Sequence, residues 1–453
     1  MNATVYRGCH KKKSLGPTLS SEKIQHVKGS CQPRRDGILV CRVTTSPGIS
    51  RFVNKTVGLR FHGRDLRFQL SHGLFSSYDI DAGSRLLLKS LAARVDFASL
   101  RSALDIGCGV GVIGACICSR APEANIVMQD RDALAAAFAE DNCRINGMAK
   151  VSVGCSLAFR GLNSGMFDLV TSNLPAKAGL PVLGSLLRHA AASLAPGGVA
   201  AVVIIAPLAA FARQSLSEMG CEIDHVEETT AYAVIHYRTG SAGAETAAEL
   251  EDLQPYIRSL SRFSPPGFDY SLRTAHSLPD FDTVGYAAGL AFGVAREAAI
   301  AGRLLAWNPG QGHLPVGLAS RPAPKITSVA IASRDALQCE IAALNLSSIG
   351  MVPEAVRTVC SEGDLGRAFP AGTYDAVIAS PQPIPRVPWQ AELADVSAGL
   401  LKPGGALLVV ATSTEVHRFL DQRHGLRLQL SRKHAGCRAV LLRKPSAIPP
   451  SPV

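Results

Sequence analysis

The stretch that most constrains this chain is residues 104–111, which read Leu-Asp-Ile-Gly-Cys-Gly-Val-Gly. An apolar run precedes the glycines, and residues 112–118 have the composition of a buried helix. The segment therefore predicts a strand, a tight turn and a helix in that order. Glycine adopts positive φ readily and lets a ligand approach the backbone, so the turn is a candidate binding site. The three glycines of the turn are Gly107, Gly109 and Gly111.

The apolar run that follows the glycine turn ends in an acidic residue. Asp130 closes the next apolar run, 23 residues past Gly107. That is near the spacing at which a carboxylate meets a ribose diol in nucleotide-binding folds. The glycine spacing is not that of the dinucleotide fingerprint, so a nicotinamide cofactor fits less well. A glycine turn without any ligand is the alternative on this motif alone.

A second strand ends in a polar residue at the same predicted edge. Residues 167–172 are a candidate buried strand, and Asn173, Leu174 and Pro175 follow it. Together with the glycine turn, this segment resembles motifs I and IV of class I S-adenosylmethionine-dependent methyltransferases. The segment 73–84, with Gly-Leu-Phe-Ser near its start and Asp-Ala-Gly-Ser at its end, narrows the resemblance. It is similar to the small-domain methyltransferases, which include tandem-domain enzymes that methylate an exocyclic guanine amine of ribosomal RNA.

The resemblance implies S-adenosylmethionine as cofactor and gives each candidate residue a role. The glycine turn would receive the methionine part, Asp105 would orient its amino end, and Asp130 would bind both ribose hydroxyls. Residues at three further positions would line the cofactor site, although Phe75 is equally well explained as a core aromatic. Ser156 or Cys155 would touch the adenine. The further lining residues are Phe75, Asp81 and Gly83.

In the family, the motif IV Asn and the following carbonyl accept the two hydrogens of an exocyclic amine, whose lone pair then faces the methyl group. By resemblance, Asn173, Leu174 and Pro175 form this catalytic segment. The family's first proline and its aromatic are replaced here by Leu174 and Ala176. A stacking partner for a base must therefore come from elsewhere, or the substrate is not a base. For Asn173 the alternative is a turn residue that only ends a strand.

Strands and helices alternate from residue 103 to residue 238, which predicts an α/β fold with a mostly parallel, doubly wound sheet. Ligands in such sheets bind beyond the carboxyl ends of the strands, where Asp105, Asp130 and Asn173 fall. We expect two tandem Rossmann-like methyltransferase domains behind a basic N-terminal extension. The expected boundaries are a partly mobile arm at 1–50, a catalytic domain at 51–240, a linker at 241–265, a degenerate domain at 266–445 and a tail at 446–453.

The second domain is predicted from an internal repeat. Similar segments recur at offsets between 201 and 207 residues, as expected for a duplicated domain with small loop insertions. The matched segments are 76–81 with 277–282, 104–111 with 305–312, 131–134 with 334–337, and 194–198 with 401–405.

The second copy has lost the chemistry of the first. Four site positions differ, so we expect the second half to be structural or RNA-binding and to hold no cofactor. In tandem family members the degenerate copy comes first, whereas here it comes second. The replacements are Asp105 by Ala306, Gly107 by Asn308, Asp130 by Ser333, and Asn173 by Ser380.

The net charge of +11 is concentrated at the N-terminus. Residues 1–60 hold 12 basic and 2 acidic residues, whereas the remaining 393 are nearly neutral. A basic arm on a neutral body favours contact with an RNA backbone, so we expect RNA as partner, bound through the arm and the second domain. A solvated terminus without a partner, or an organellar transit peptide, would have the same composition. Without such a peptide the protein is expected in the cytoplasm.

The sequence favours neither a membrane-spanning segment nor a metal site. Residues 190–212 carry no formal charge, but prolines and glycines interrupt them and residues 199–205 suit a buried strand. The twelve cysteines are scattered without a Cys-x-x-Cys pair, which indicates reduced thiols rather than zinc ligands or disulfides. We therefore expect no membrane association and no metal.

Three functions remain open at this point. The first is an RNA methyltransferase, most simply one acting on an exocyclic amine of a ribosomal RNA base such as guanine. The second is a methyltransferase acting on a protein glutamine or another side chain, or on a small molecule. The third is a non-catalytic RNA-binding assembly factor, against which Asp105 and Asp130 argue.

Overall fold

The protein is described here from a computed structural model covering residues 29–33, 39–43, 49–240, 253–361 and 365–446. Two mixed sheets, one in each half of the sequence, are packed between helices. Both sheets are mostly parallel and doubly wound. The predicted fold class is therefore confirmed, and so is the duplication.

The front half begins with a hairpin and continues as an α/β domain. Its sheet has the order β10-β11-β9-β8-β5-β6-β7, in which β10 and β11 are antiparallel and the others are parallel. Its strands are β3 (Lys55–Phe61), β4 (Arg64–Leu70), β5 (Ser102–Ile106), β6 (Asn125–Asp130), β7 (Val151–Cys155), β8 (Phe167–Asn173), β9 (Leu194–Ile205), β10 (Glu222–Glu228) and β11 (Tyr232–Arg238). Its helices are α1 (Ala82–Arg94), α2 (Val112–Arg120), α3 (Ala133–Ile145), α4 (Leu180–Ala192) and α5 (Ala209–Glu218).

The rear half repeats this plan. Its strands are β12 (Ile257–Phe263), β13 (Tyr270–Ala275), β14 (Gly302–Trp307), β15 (Ile326–Ser333), β16 (Val356–Cys360), β17 (Tyr374–Ala379), β18 (Leu401–Thr412), β19 (Arg427–His434) and β20 (Cys437–Arg443). Its helices are α6 (Tyr286–Glu297), α7 (His313–Ala319), α8 (Ala336–Ser348), α9 (Leu365–Ala368), α10 (Gln390–Leu400) and α11 (Ser413–Asp421). β12 and β13 form a hairpin that corresponds to β3 and β4.

Two strands from the N-terminal segment complete the rear sheet. β1 (Gly29–Pro33) pairs with β2 (Leu39–Val43), and β2 runs parallel to β16 of the rear half. The rear sheet therefore has nine strands, in the order β1-β2-β16-β15-β14-β17-β18-β20-β19. The rest of the predicted arm, residues 1–28, 34–38 and 44–48, lies outside the described residues, and so does its predicted mobility.

The two halves meet about a pseudo-twofold axis at the ends of β6 and β15. The backbone N–H of Ala133 donates to the carbonyl of Arg334 (2.7 Å), and that of Ala336 donates to the carbonyl of Arg131 (2.8 Å). Each of these arginines also pairs with an aspartate of the opposite half at 3.4 Å. The carboxyl edges of the two sheets are thus turned toward one another. The two aspartates are Asp132, which pairs with Arg334, and Asp335, which pairs with Arg131.

A buried ion pair also joins the two halves. Arg160 Nη1 lies 3.0 Å from Glu340 Oε2, with 10% and 7% of the two side chains exposed. The thiols of Cys155 and Cys360 are in contact at 3.2 Å, and this hydrogen bond, together with burial, raises the pKa of the Cys155 thiol above its usual range. Cys155 is the last residue of β7, and Cys360 is the last residue of β16. These two strands correspond to one another in the two halves, so the cysteines are also related by the pseudo-twofold axis.

The structure corrects one register of the predicted repeat. Residues 76–81 were matched to 277–282, but helix α1 is capped by Asp81 and helix α6 by Gly285, an offset of 204. The interface agrees, because the carbonyls of Gly73 and Ser277 accept equivalent bonds from Arg334 and Arg131. The short Ser-x-x-Asp match misled the alignment because loop residues are not held in register by a sheet. Asp81 is consequently a further carboxylate that the rear copy lacks.

Most other elements lie where the sequence predicted them. One difference is that residues 254–263 of the predicted linker are ordered, as a short 3₁₀ turn followed by β12. Residues 241–252 of that linker lie outside the described part of the chain. Residues 199–205 form the buried end of β9, as expected, and among the described residues no helix is both long and apolar enough to cross a membrane.

Candidate active site

The glycine turn of the front half forms an open cradle at the end of β5. Gly107 and Gly109 have φ of 67° and 55°, and a Cβ added to either would meet no atom within 4 Å. Gly111, with φ of 85°, has a different role, because a Cβ there would lie 2.9 Å from that of Ala139 on α3. Two of the three glycines thus leave space at the sheet edge, and the third lets two helices pack closely.

Asp130 is fixed beside this cradle. Its Oδ2 accepts a hydrogen bond from the N–H of Gly109 (2.9 Å), and its Oδ1 accepts one from the N–H of Asp132 (2.8 Å). Burial raises the pKa of this carboxyl, while the backbone donors oppose the shift. The carboxylate is therefore pre-oriented at the end of β6, where the sequence predicted a ribose ligand. That contact stays a prediction.

Asp105 lies deeper than its predicted role suggests. It is 1% exposed, its Oδ2 accepts from the N–H of Gly114 (3.0 Å) and its Oδ1 accepts from the hydroxyl of Thr171 (3.1 Å). Burial raises its pKa to about 7. These contacts tie the first turn of α2 to β5 and β8, and so hold the cradle in shape. A direct contact between Asp105 and the cofactor stays a prediction.

Asn173 is held by a network that the sequence did not reveal. Its Nδ2 donates to Asp81 Oδ2 (2.9 Å) and to the hydroxyl of Ser84 (3.0 Å). Asp81 also accepts from the N–H of Ser84 (3.0 Å), which caps α1, and from the hydroxyl of Tyr232 (3.4 Å). These donors and acceptors fix the orientation of the amide. No described residue donates to Asn173 Oδ1, so this oxygen is left as an acceptor for a substrate.

The structure shows the surroundings of three residues that were predicted to line the cofactor site. A Cβ on Gly83 would lie 2.9 Å from the ring of Tyr232, so this glycine lets α1 approach β11. Phe75 is 71% exposed, which excludes the core-aromatic interpretation. Ser156 is buried, and its hydroxyl donates to the carbonyl of Arg160 (3.0 Å). Among the predicted lining residues, Asp81 is hydrogen-bonded to Asn173, and Ser156 directly follows β7.

In the rear half, the residues that replace the site positions bond to one another at the equivalent sheet edge. Asn308, with φ of 52°, occupies the position of Gly107, and its Nδ2 donates to the carbonyl of Ser380 (3.2 Å). Its Oδ1 accepts from the hydroxyl of Ser333 (3.1 Å). Three of the four replaced positions are therefore hydrogen-bonded to one another across the ends of β14, β15 and β17. The residues that replace the site positions thus form a hydrogen-bonded network of their own.

The rear half also contacts the loop that follows Asn173 in the front half. The hydroxyl of Ser277 donates to the carbonyl of Ala178 (3.5 Å), three residues past Pro175. A Cβ on Gly179 would lie 2.6 Å from Nδ1 of His276, so these two segments are in close contact. The loop that follows Asn173 is thus backed by the second half of the chain. Leu174 is buried, while Pro175 is exposed.

Four residues that take part in the site or in the interface were not identified from the sequence. They are Ser84, Tyr232, Arg131 and Arg334. Ser84 is the third residue after Asp81, and its backbone N–H bonds to the carboxylate that caps α1. Tyr232 lies 151 residues from Asp81, so no local pattern connects the two. No group of three or more His, Cys, Asp or Glu residues suited to a metal occurs in the ranges that the structure describes.

Comparison with known proteins agrees with this geometry. Residues 65–236 match the family model of the methyltransferase small domain. The "Uncharacterized protein YbxB" of Bacillus subtilis is 29% identical over 183 residues, which are 40% of this chain and 90% of that protein. The ribosomal RNA small subunit methyltransferase C of Pasteurella multocida is 35% identical over 143 residues, which are 31% of this chain and 42% of the enzyme. This chain therefore matches less than half of the length of that enzyme.

A solved structure extends the likeness to both halves. A Thermus thermophilus 16S rRNA N2 G1207 methyltransferase, in complex with AdoMet and guanosine, has a TM-score of 0.59 and 19% identity. The match covers 87% of this chain and 99% of that one. At this identity the likeness concerns the fold. The tandem arrangement of two Rossmann-like domains is therefore shared with that protein.

Fold and site together define a class I methyltransferase that uses S-adenosylmethionine. The front half resembles the methyltransferase small domain family, whose model matches residues 65–236, as its motifs predicted. The front crevice fits the cofactor, because the space above Gly107 and Gly109 is free and a fixed carboxylate, Asp130, borders it. The rear crevice lacks both features, since Asn308 stands in place of Gly107 and Ser333 in place of Asp130.

Proposed function

We propose that the protein is an S-adenosylmethionine-dependent RNA methyltransferase that modifies an exocyclic guanine amine of small-subunit ribosomal RNA. The observation that carries this proposal is the arrangement of Asn173. Its amide is oriented by Asp81 and Ser84, and its Oδ1 is left available beside the glycine cradle. The ribosomal RNA enzymes that the chain resembles supply the substrate class.

In this proposal Gly107, Gly109 and Asp130 hold the cofactor. S-Adenosylmethionine, when bound, supplies the methyl group as an electrophile. Asn173 Oδ1 and the carbonyl of Leu174 accept the two hydrogens of the exocyclic amine. That would orient the nitrogen lone pair and disperse the positive charge that develops on it. The cofactor would leave as S-adenosylhomocysteine, and the methylated amine would lose its extra proton to water, so that no strong base is needed. Pro175 restricts the backbone that presents the carbonyl of Leu174.

RNA would reach the site over both halves. The basic N-terminal segment is attached to the rear sheet through β2, and the rear half in turn backs the catalytic loop through Ser277. Charge on the arm would therefore be presented on the half that has lost its cofactor site. This supports the rear half and the arm as the RNA-binding part of the enzyme.

The proposal is tested with labelled S-adenosylmethionine and total RNA or total protein. Label in the RNA fraction is expected, and mass spectrometry of ribosomal RNA from cells with and without the gene then locates the modified guanine. If calorimetry detects no binding of S-adenosylmethionine to the full chain, the enzyme proposal fails and a non-catalytic RNA-binding factor replaces it.

One observation favours a second candidate. The catalytic segment has Leu174 and Ala176 where the RNA enzymes of the family have a proline and an aromatic. A protein glutamine or another amide would need no stacking partner. Label in the protein fraction alone would select this candidate over the RNA enzyme.

A further inference from the structure

The rear half contains a cleft that none of the roles above explains. It lies over the carboxyl edge of the rear sheet, beside the Asn308 network, and has an empty volume of about 740 Å³ measured out to solvent. Trp307 at the end of β14 and Trp389 before α10 both line it. These are the only tryptophans in the sequence. A degenerate domain has thus kept an aromatic cleft at its former site edge.

The polar groups of the cleft suit a nucleobase and its phosphate. Arg51 extends over the ring of Phe52 at 4.5 Å and forms two bonds to Glu392, at 2.7 and 3.0 Å. Nη1 of Arg334 is buried and has no hydrogen-bond partner among the described residues, although Nη2 donates to the carbonyl of Gly73. The cleft therefore combines aromatic faces, a carboxylate acceptor and guanidinium donors.

The position of the cleft indicates what reaches it. Arg51 and Phe52 end a short 3₁₀ turn, residues 49–52, that directly follows the predicted arm and lines one wall of the cleft. The opposite wall includes Ile384, whose side chain lies 2.7 Å from the place of a Cβ on Gly73, in the loop before α1. The cleft is thus bounded by this turn and by the segment that leads to Asp81. A nucleic acid strand held by the arm would pass its opening.

We propose that this cleft binds one unstacked base of the RNA substrate, away from the base that is methylated. The inference rests on the proposed function for the identity of the substrate. Unpaired RNA bases are commonly held on aromatic and guanidinium planes. The rear half would then fix the register of the RNA, and a base stacked there would anchor the strand while Asn173 receives the target amine.

Tryptophan emission reports on the cleft directly, because both tryptophans line it. The full chain is titrated with a single-stranded 12-residue oligoadenylate, and in parallel with an abasic ribose-phosphate oligomer of equal length. We expect the oligoadenylate to quench the emission and the abasic oligomer to leave it nearly unchanged. Equal quenching by both oligomers, or no quenching by either, overturns the proposal. Saturable quenching by S-adenosylmethionine alone also overturns it, because the cleft would then be a cofactor site.

Two variants test the affinity independently. Trp389→Leu should weaken binding of the oligoadenylate about tenfold, as expected for a lost stacking partner. Tyr286→Leu, which removes an aromatic that is 67% exposed on the same half but outside the cleft, is the matched control and should bind normally. If Trp389→Leu fails to fold, because its ring also stacks on Phe419, Gln382→Ala at the exposed wall takes its place. Unchanged affinity in the folded cleft variant contradicts the proposal.

These outcomes can be separated from a failure of the proposed function. If S-adenosylmethionine binds and RNA is labelled while the oligoadenylate causes no quenching, the cleft proposal alone is wrong. If quenching follows the base and no RNA is labelled, the cleft binds RNA and the proposed methyl transfer is wrong.

Discussion

The side-chain amide of Asn173 donates to the carboxylate of Asp81 across 2.9 Å, joining the end of β8 to the cap of α1. The same carboxylate caps the helix through the N–H of Ser84. One aspartate therefore orients the residue proposed to receive the substrate and stabilises the helix beside it. Loss of the amide, loss of the carboxylate and closure of the crevice should have distinguishable effects.

Asn173→Ala should reduce turnover about a hundredfold, because the acceptor for the substrate amine is lost. The dissociation constant for S-adenosylmethionine should change less than about twofold, since the cradle and Asp130 are untouched. Single-turnover kinetics and calorimetry measure the two quantities. Asn125→Ala, at the exposed start of β6, is the control. A parallel fall in both quantities would mean that Asn173 does not have the assigned role.

Asp81→Ser should retain the helix cap and lose the partner of Asn173. Serine caps a helix about as well as aspartate, so the melting temperature should change little. Turnover should fall about tenfold or more, because a misoriented amide presents the wrong atom to the substrate. The exposed Asp79→Ser, two residues earlier, should keep full activity. Wild-type turnover in Asp81→Ser would remove Asp81 from the positioning of Asn173.

Gly107→Asn should close the front crevice without unfolding the domain. The rear half already accommodates an asparagine at the equivalent place with φ of 52°, near the 67° of Gly107, and asparagine tolerates this region. We expect affinity for S-adenosylmethionine to fall at least tenfold by calorimetry. Asn308→Gly is the reciprocal control and should leave this affinity unchanged. A stoichiometry of two in that control would show that the rear half can still take the cofactor.

The buried carboxyl of Asp105 should make the front half less stable as pH rises from about 4 to about 7. Its pKa is raised by burial to about 7, from an unfolded value of 3.8, so the folded state binds more protons in this window. Stability therefore falls with rising pH across the window. Denaturant titrations of Asp105→Asn should show a flatter dependence, whereas Asp65→Asn in the exposed hairpin should match the parent. An unchanged slope in Asp105→Asn contradicts this assignment.

Glu340→Gln should destabilise the contact between the halves. It removes the negative charge that faces the buried guanidinium of Arg160 at 3.0 Å, and breaking such a buried pair costs about 3–5 kcal/mol. The free energy of unfolding from denaturant titration measures this loss. Lys150→Gln, which breaks the exposed pair with Glu123, should cost much less, because water screens this pair. Equal costs for the two variants would mean that the interface pair adds nothing by its burial.

The elements of the front half could be predicted because each is encoded locally. Helix α2 begins at Val112 and ends at Arg120, and β6 ends at Asp130, as the glycine turn and the apolar runs indicated. The partners of Asn173 could not be predicted, because Asp81 and Ser84 are 92 and 89 residues away. The loss of chemistry in the rear half was visible by comparison of the copies. That Asn308 joins Ser333 and Ser380 required the geometry.

The parallel pairing of β2 with β16 ties residues 39–42 to residues 357–360. The front half, from β3 to β11, is therefore enclosed within the sequence of the half behind it. During synthesis the early strand must wait until most of the chain has emerged before its neighbour exists, which makes completion of the nine-stranded sheet a late, long-range step. A cut between residues 241 and 252 would not yield two self-sufficient proteins, because the C-terminal fragment would lack its two outermost strands.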